Sequence, residues 1–209
     1  MDIIGFNYFN LEKIQHNNYK YYEPNCLNVY LKYKKINNSV SDLNFETPWL
    51  DFFCEKPIKD IIELKKTYIN LLFRNYNSNI KIIQFYNIVN KIDNYIKYKN
   101  SFLDDFTGSE INKFLNFNLF YIPSLKYYPN HKLVENSSLR LKIFPKHIKI
   151  YNVRNKKIDL SDLSNECEVK ATIQCHSIWL SKDNYGLTWI AKSLKIRQKR
   201  DLFKEALFS

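Results

Sequence analysis

Polar and apolar residues alternate along 168–180, with Lys170 in the polar set, and lysines stand among aromatic and apolar residues again along 187–196, as Lys192 and Lys195. That pattern suits one kind of chemistry. A ring exposed on a strand offers a face on which any nucleobase can stack, and a neighbouring ammonium neutralises a phosphate. Under strict alternation Val169, Ala171, Ile173 and Cys175 share one face, and Lys170, Thr172, Gln174 and His176 share the other. The same alternation puts Trp179 on the apolar face, where it reads as core. On the return strand Ile190, Leu194 and Ile196 form the apolar face, which leaves Trp189, Ala191, Ser193 and Lys195 pointing away from it. Trp189, Tyr185, Lys170, Lys192 and Lys195 are therefore the candidate nucleic-acid-binding residues of this segment, with Tyr30, Lys32, Tyr33 and Trp49 as candidates on earlier strands. Stacking contributes about 1–3 kcal/mol per base whatever the base. Sequence readout needs fixed donors and acceptors, so the expected binding is sequence-independent.

Other chemistries find less support. The chain has only three glycines, Gly5, Gly108 and Gly186, and no GxxxxGK[ST] loop to cradle a phosphate. No HExxH or G-x-S-x-G motif occurs. Asp104, Asp105, Glu110 and Asp159 are the acids a metal-dependent nuclease would draw on, but an adjacent Asp pair reads as a solvated turn or helix cap. Cys26, Cys54, Cys167 and Cys175 are separated by 28, 113 and 8 residues, which matches no zinc ribbon or finger. His16, His131, His147 and His176 do not complete a ligand set with them. The cysteines read as free thiols of a reducing compartment. No catalytic residue, metal or cofactor is expected.

The elements that would position these residues are mostly strands. Residues 168–196 form a long β-hairpin turning at 181–186. Cys26–Tyr33 is rich in strand formers, with 40–45 as its hairpin partner, and Thr47-Pro48 ends that ladder because proline has no N–H to donate. Shorter β-like runs cover 119–125, 139–144 and 148–153. The stretch 58–73 permits a helix or a strand. Over 80–98, Ile82, Phe85, Val89, Ile92 and Ile96 recur at three and four, the stripe of a helix packed on a core. Thr107–Glu110 looks like a capping box opening a short helix, and 198–209 reads as a C-terminal helix or tail.

The 209 residues suit a single domain spanning 1–209, and 45% hydrophobic and 16% aromatic content excludes disorder for most of the chain. No apolar run is long enough to cross a membrane as a helix. The N-terminal MDIIGFNYFN lacks the order of a secretory signal, so none is expected. Thirty-two Lys and Arg against 21 Asp and Glu give a formal charge of +11. That balance favours an acidic partner. Lysine supplies 27 of the positive charges and asparagine 26 residues, against 3 alanines. That skew is the mark of an A/T-rich genome, so the local arrangement of the charge says more than its total.

Two segments resemble a known family. Cys175-His-Ser-Ile-Trp179-Leu-Ser-Lys-Asp-Asn-Tyr185-Gly186-Leu-Thr-Trp189 is similar to the late β-hairpin of the single-stranded DNA-binding proteins of nucleocytoplasmic large DNA viruses, the African swine fever virus type. Leu43-Asn-Phe45-Glu-Thr47-Pro48-Trp49-Leu50 resembles their strand ending in a Gln-Thr-Pro step, with Glu46 in place of Gln. Asp51-Phe-Phe-Cys54 stands where Pro-Phe-Gly often follows. The resemblance implies a mainly β (α+β) fold, an OB-like five-stranded barrel with helical insertions near 80–98 and an N-terminal β extension. It implies a non-enzymatic protein that coats single-stranded DNA during replication of a viral or other extrachromosomal genome in the cytoplasm, with possible self-association on DNA and no membrane partner. The C-terminal Phe203, Leu207 and Phe208 are candidates for docking replication proteins. The rival readings are a structural or accessory protein of a virion or replication–transcription complex, and an RNA-binding protein, since stacking does not distinguish the two nucleic acids.

Overall fold

The computed structural model describes residues 2–23, 26–98, 119–127 and 134–199. In chain order its elements are β1 (Ile14–Glu23), β2 (Cys26–Lys34), β3 (Val40–Asp42), β4 (Asn44–Glu46), β5 (Leu50–Phe53), the helical turn α1 (Ile58–Ile61), β6 (Thr67–Leu72), α2 (Ile80–Tyr98), β7 (Phe120–Ile122), β8 (Leu125–Tyr127), β9 (Ser137–Ile143), β10 (Lys149–Asn152), β11 (Lys157–Ile158), β12 (Cys167–Leu180) and β13 (Asn184–Gln198). The expected capping box at 107–110 and the tail from 200 onward lie outside the described residues.

The β12–β13 hairpin organises everything else. On one side β12 pairs in succession with β5, β4 and β2. β13 likewise lies parallel to β10, β9 and β7 along its length. The chain closes through β12–β5–β6–β9–β13 and back to β12. The result is a mainly β, closed, five-stranded, OB-like barrel, with β1, β2 and β3 forming an extension from one edge.

The barrel interior follows from period-two burial. Leu50 and Phe52, Ile69 and Leu71, Leu139, Leu141 and Ile143, and Val169, Ala171 and Ile173 all bury in one core. α2 adds the stripe Ile82, Phe85, Val89, Ile92 and Ile96 to the same core. The ambiguous stretch 58–73 divides: a helical turn behind Pro57, then strand β6. Proline also explains the break between β4 and β5. Thr47 bridges it with its N–H donating to Ala171 O at 2.8 Å and its Oγ1 accepting from Ala171 N–H at 2.8 Å.

Strict alternation fails twice along the hairpin. Thr172 pairs with Ser193 but Ile173 with Ala191, so Lys192 is an extra residue on β13. Cys175 pairs with Trp189 but Ser177 with Thr188, so His176 is an extra residue on β12. Each β-bulge inserts one residue and moves every later side chain to the opposite face. On β12 the core face is 169, 171, 173 and 175 before the bulge and Ile178 and Leu180 after it. On β13 it is Tyr185, Leu187, Trp189 and Ala191 before Lys192, then Leu194 and Ile196.

Candidate nucleic-acid interface

These two bulges exchange the roles of the two hairpin tryptophans. Trp189, expected to be exposed, is 2% exposed and lies in the core. Its Nε1–H donates to Ser124 Oγ at 2.8 Å, and Ser124 donates from Oγ and N to the carboxylate of Asp93 on α2 at 2.6 and 2.9 Å. Tyr121 Oη donates to the same carboxylate at 2.5 Å. Burial pushes the Asp93 carboxyl up from its ordinary value, and these donors pull it back. Burial, reinforced by the Asp93 charge, raises the Tyr121 phenol. Trp189 is thus a structural anchor between β13 and α2.

Trp179, expected in the core, is half-buried and lines a surface cleft. Its indole lies on Gly186, the cross-strand partner. A Cβ at 186 would stand 3.0 Å from Trp179 Cζ2 and 2.8 Å from Ile122 O. Only glycine lets the ring lie that flat against the sheet.

The cleft has a volume of about 720 Å³. Cys26, Asn28 and Tyr30 of β2, Ser177 and Trp179 of β12, and Thr188 and Ile190 of β13 line it. Tyr68 of β6, Arg140 and Lys142 of β9, and Lys66 and Lys126 also line it. The alternation Leu139-Arg140-Leu141-Lys142-Ile143 drives apolar residues into the barrel and both cations outward. Tyr68 is 42% exposed, and the Arg140 guanidinium stacks 4.1 Å from its ring centroid. Among the described residues no Asp or Glu lines the cleft, while four cations and the rings of Tyr30, Tyr68, Phe144, His176, Trp179 and Trp189 do.

His176, freed by its bulge, meets Tyr30 edge-on with ring centroids 5.1 Å apart. Its Nδ1 is buried without a hydrogen-bond partner. Burial first, then the charge of Lys192, with smaller contributions from Lys142 and Lys32, lowers its pKa, against the opposing pull of Asp42. A neutral imidazole within a cationic surround is a site that an anion would favour and a cation would not.

The sequence candidates therefore scatter. Tyr30 lines the cleft, and the edge of the buried Trp189 reaches its lining too. Lys192 and Lys32 act on His176 at its border, Lys32 also pairing with Asp42 at 2.6 Å. Tyr185, expected to face a ligand, is 6% exposed: its ring packs on Tyr121 and its Oη donates to Lys97 O at 3.2 Å, because it precedes the Lys192 bulge on the core face. Tyr33 is 4% exposed, stacked on Phe9, its Oη accepting the Asn10 N–H at 3.1 Å; it occupies the inward phase of β2. Trp49 and Lys170 lie at a different cleft, of about 740 Å³, where the Arg197 guanidinium covers the indole at 4.6 Å and Lys170 pairs with Glu46 at 2.5 Å. Lys195 points outward and donates to Asn155 Oδ1 at 2.8 Å.

Sequence reading missed Tyr68, Arg140, Lys142, Trp179 and His176 as site residues. The run 139–143 carries a clear alternating signal, and strict alternation already places His176 on the outward face; the bulge that turns out Trp179 carries none. Among the described residues no cluster of His, Cys, Asp and Glu could hold a metal ion, and no helix is long and apolar enough to cross a membrane. Asp159 is engaged locally, its N–H donating to the Asp162 carboxylate at 3.1 Å. No protein-family model matches the chain, and no curated protein matches it.

Proposed function

We propose that this chain is a non-catalytic protein that binds single-stranded DNA without regard to sequence and coats it during replication of a viral or extrachromosomal genome in the cytoplasm. The observation that carries this reading is the cleft, which the described residues line with four cations, six aromatic rings and no acid. β6 and β9 are the second and third barrel strands in chain order, the face with which OB-folds bind oligonucleotides. Cations spaced along a groove neutralise phosphates, while Trp179, Tyr68 and Tyr30 supply faces for bases. Stacking on these rings needs unpaired bases, which a single strand offers and a duplex keeps within its own stack. The resemblance of 43–50 and 175–189 to viral single-strand binders points the same way.

The test is a fluorescence titration of labelled oligo-dT, a mixed-sequence single strand, a matched duplex and a matched RNA. Tight, similar binding of both DNA single strands with weak duplex binding supports the reading. Equal affinity for duplex and single strand overturns it, and preference for the RNA strand replaces DNA by RNA as the ligand.

A further inference from the structure

The outer face of the long hairpin does not end at the cleft. Three registers meet in one row across four strands: Lys157 of β11 pairs with Tyr151 of β10, Tyr151 with Lys195 of β13, and Lys195 with Lys170 of β12. Residues directly opposite across paired strands share a face. The neighbours in the next register, Ile150, Leu194 and Ala171, are buried, so this row faces outward. Two residues along, Lys149 pairs with Ser193, which pairs with Thr172.

Like charges placed opposite each other weaken a sheet, and Lys170 and Lys195 are opposite. They are drawn apart, Lys170 to Glu46 and Lys195 to the neutral amide of Asn155. Two acids of the adjoining strands are already engaged, Glu46 by Lys170 and Glu168 by Arg197 at 2.7 Å. Among the described residues Lys149, Lys157 and Lys195 have no acidic partner, and they lie beside the half-buried ring of Tyr151. This row and the cleft lie on the same face of β12 and β13, with Lys192 between them. From Ile190 to Lys195 is five residues, about 17 Å of strand at roughly 3.3 Å each.

We propose that Lys149, Tyr151, Lys157 and Lys195 form a second subsite for the same single strand, so that a strand filling the cleft continues past Lys192 along the hairpin and lays further phosphates and one base on this row. The inference rests on the single-strand reading of the cleft. It makes the bound length longer than the cleft alone would hold, and it assigns Tyr151 as a stacking residue.

The experiment compares the wild-type chain with the double variant Lys149→Glu, Lys157→Glu and with Tyr151→Ala, using oligo-dT lengths across the range of about 4–16 nucleotides that OB-folds occlude. Both lysines are exposed, so the double variant is expected to keep the wild-type circular dichroism and melting curve. Short oligonucleotides should bind all three proteins alike. For long ones, the double variant should lose at least tenfold in affinity, and its salt slope should fall by about 1.4, two phosphates at roughly 0.7 each. Loss of affinity for Tyr151→Ala on long oligonucleotides only supports the stacking assignment. Wild-type affinity and slope at every length overturn the second subsite while leaving the cleft reading intact. If the wild-type chain binds no oligonucleotide of any length, the cleft reading falls, and this inference falls with it.

Discussion

The indole of Trp179 lies directly on Gly186 of the facing strand, close enough that a methyl group at 186 would stand 3.0 Å from its Cζ2. Gly186→Ala therefore forces Trp179 off the sheet or strains the strand against Ile122 O, 2.8 Å from the same position. Overpacking of this kind costs about 1–3 kcal/mol. Urea unfolding should show that loss, and single-strand affinity should fall with it, since the displaced ring no longer presents its face to the cleft. Unchanged affinity would remove Trp179 from the site.

The two tryptophans should respond oppositely to truncation. Trp179→Ala removes a half-buried cleft ring. It should leave a folded protein whose single-strand affinity drops by about 1–3 kcal/mol. Trp189→Ala empties a core site and strands Ser124 without its indole donor. It should cost about 3–5 kcal/mol of stability. Denaturant curves paired with oligonucleotide titrations of both variants separate the roles.

Salt dependence reports how many phosphates the cleft engages. Lys66, Lys126, Arg140 and Lys142 line it. At about 0.7 per phosphate on a single strand, their full engagement gives a slope of log affinity against log salt near −3 for an oligonucleotide confined to the cleft. Arg140→Gln should reduce that slope by about 0.7. It should also weaken stacking at Tyr68, whose ring the guanidinium covers.

The imidazole of His176 gives stability and binding opposite pH trends. Tyr30, Lys32, Asp42, Lys142 and Lys192 face it, and burial with the lysine charges lowers its folded pKa below 6.5. The unfolded chain therefore binds the proton more readily. The stabilising contribution is intact above about pH 6.5 and is lost as pH falls from there through the lower folded value. A bound phosphate favours the imidazolium, so single-strand affinity should rise over the same interval. His176→Phe should flatten both trends. Melting curves and titrations between pH 5 and 8 read them directly; a wild-type affinity that does not rise on acidification would detach His176 from the ligand.

Thr47 offers a separate test of the barrel seam. Its hydroxyl accepts the Ala171 N–H and donates to Pro48 O, both at 2.8 Å, within a buried site. Thr47→Val keeps the shape and orphans that N–H, at a cost of about 1–3 kcal/mol. Hydrogen exchange at Ala171 should accelerate in the variant.

Much of the architecture was legible from local pattern alone. The helical stripe at 82–96 and the alternation of 139–143 each specify an element and its buried face, because burial of an apolar set repeats with the period of the backbone. The break at Pro48 and the long hairpin follow from chemistry local to those residues. Even the outward cations Arg140 and Lys142 are determined by their own strand.

What only the tertiary structure decided is the phase of the hairpin. Neither His176 nor Lys192 is a residue type that announces a bulge, and each shifts its strand by one position because the partner strands on both sides of β12 and β13 demand it. That single-residue shift buries Trp189 and Tyr185, and it turns Trp179 into the cleft. Period two gives a strand two equivalent phases. Which one faces the core is a property of the closed barrel, not of the strand.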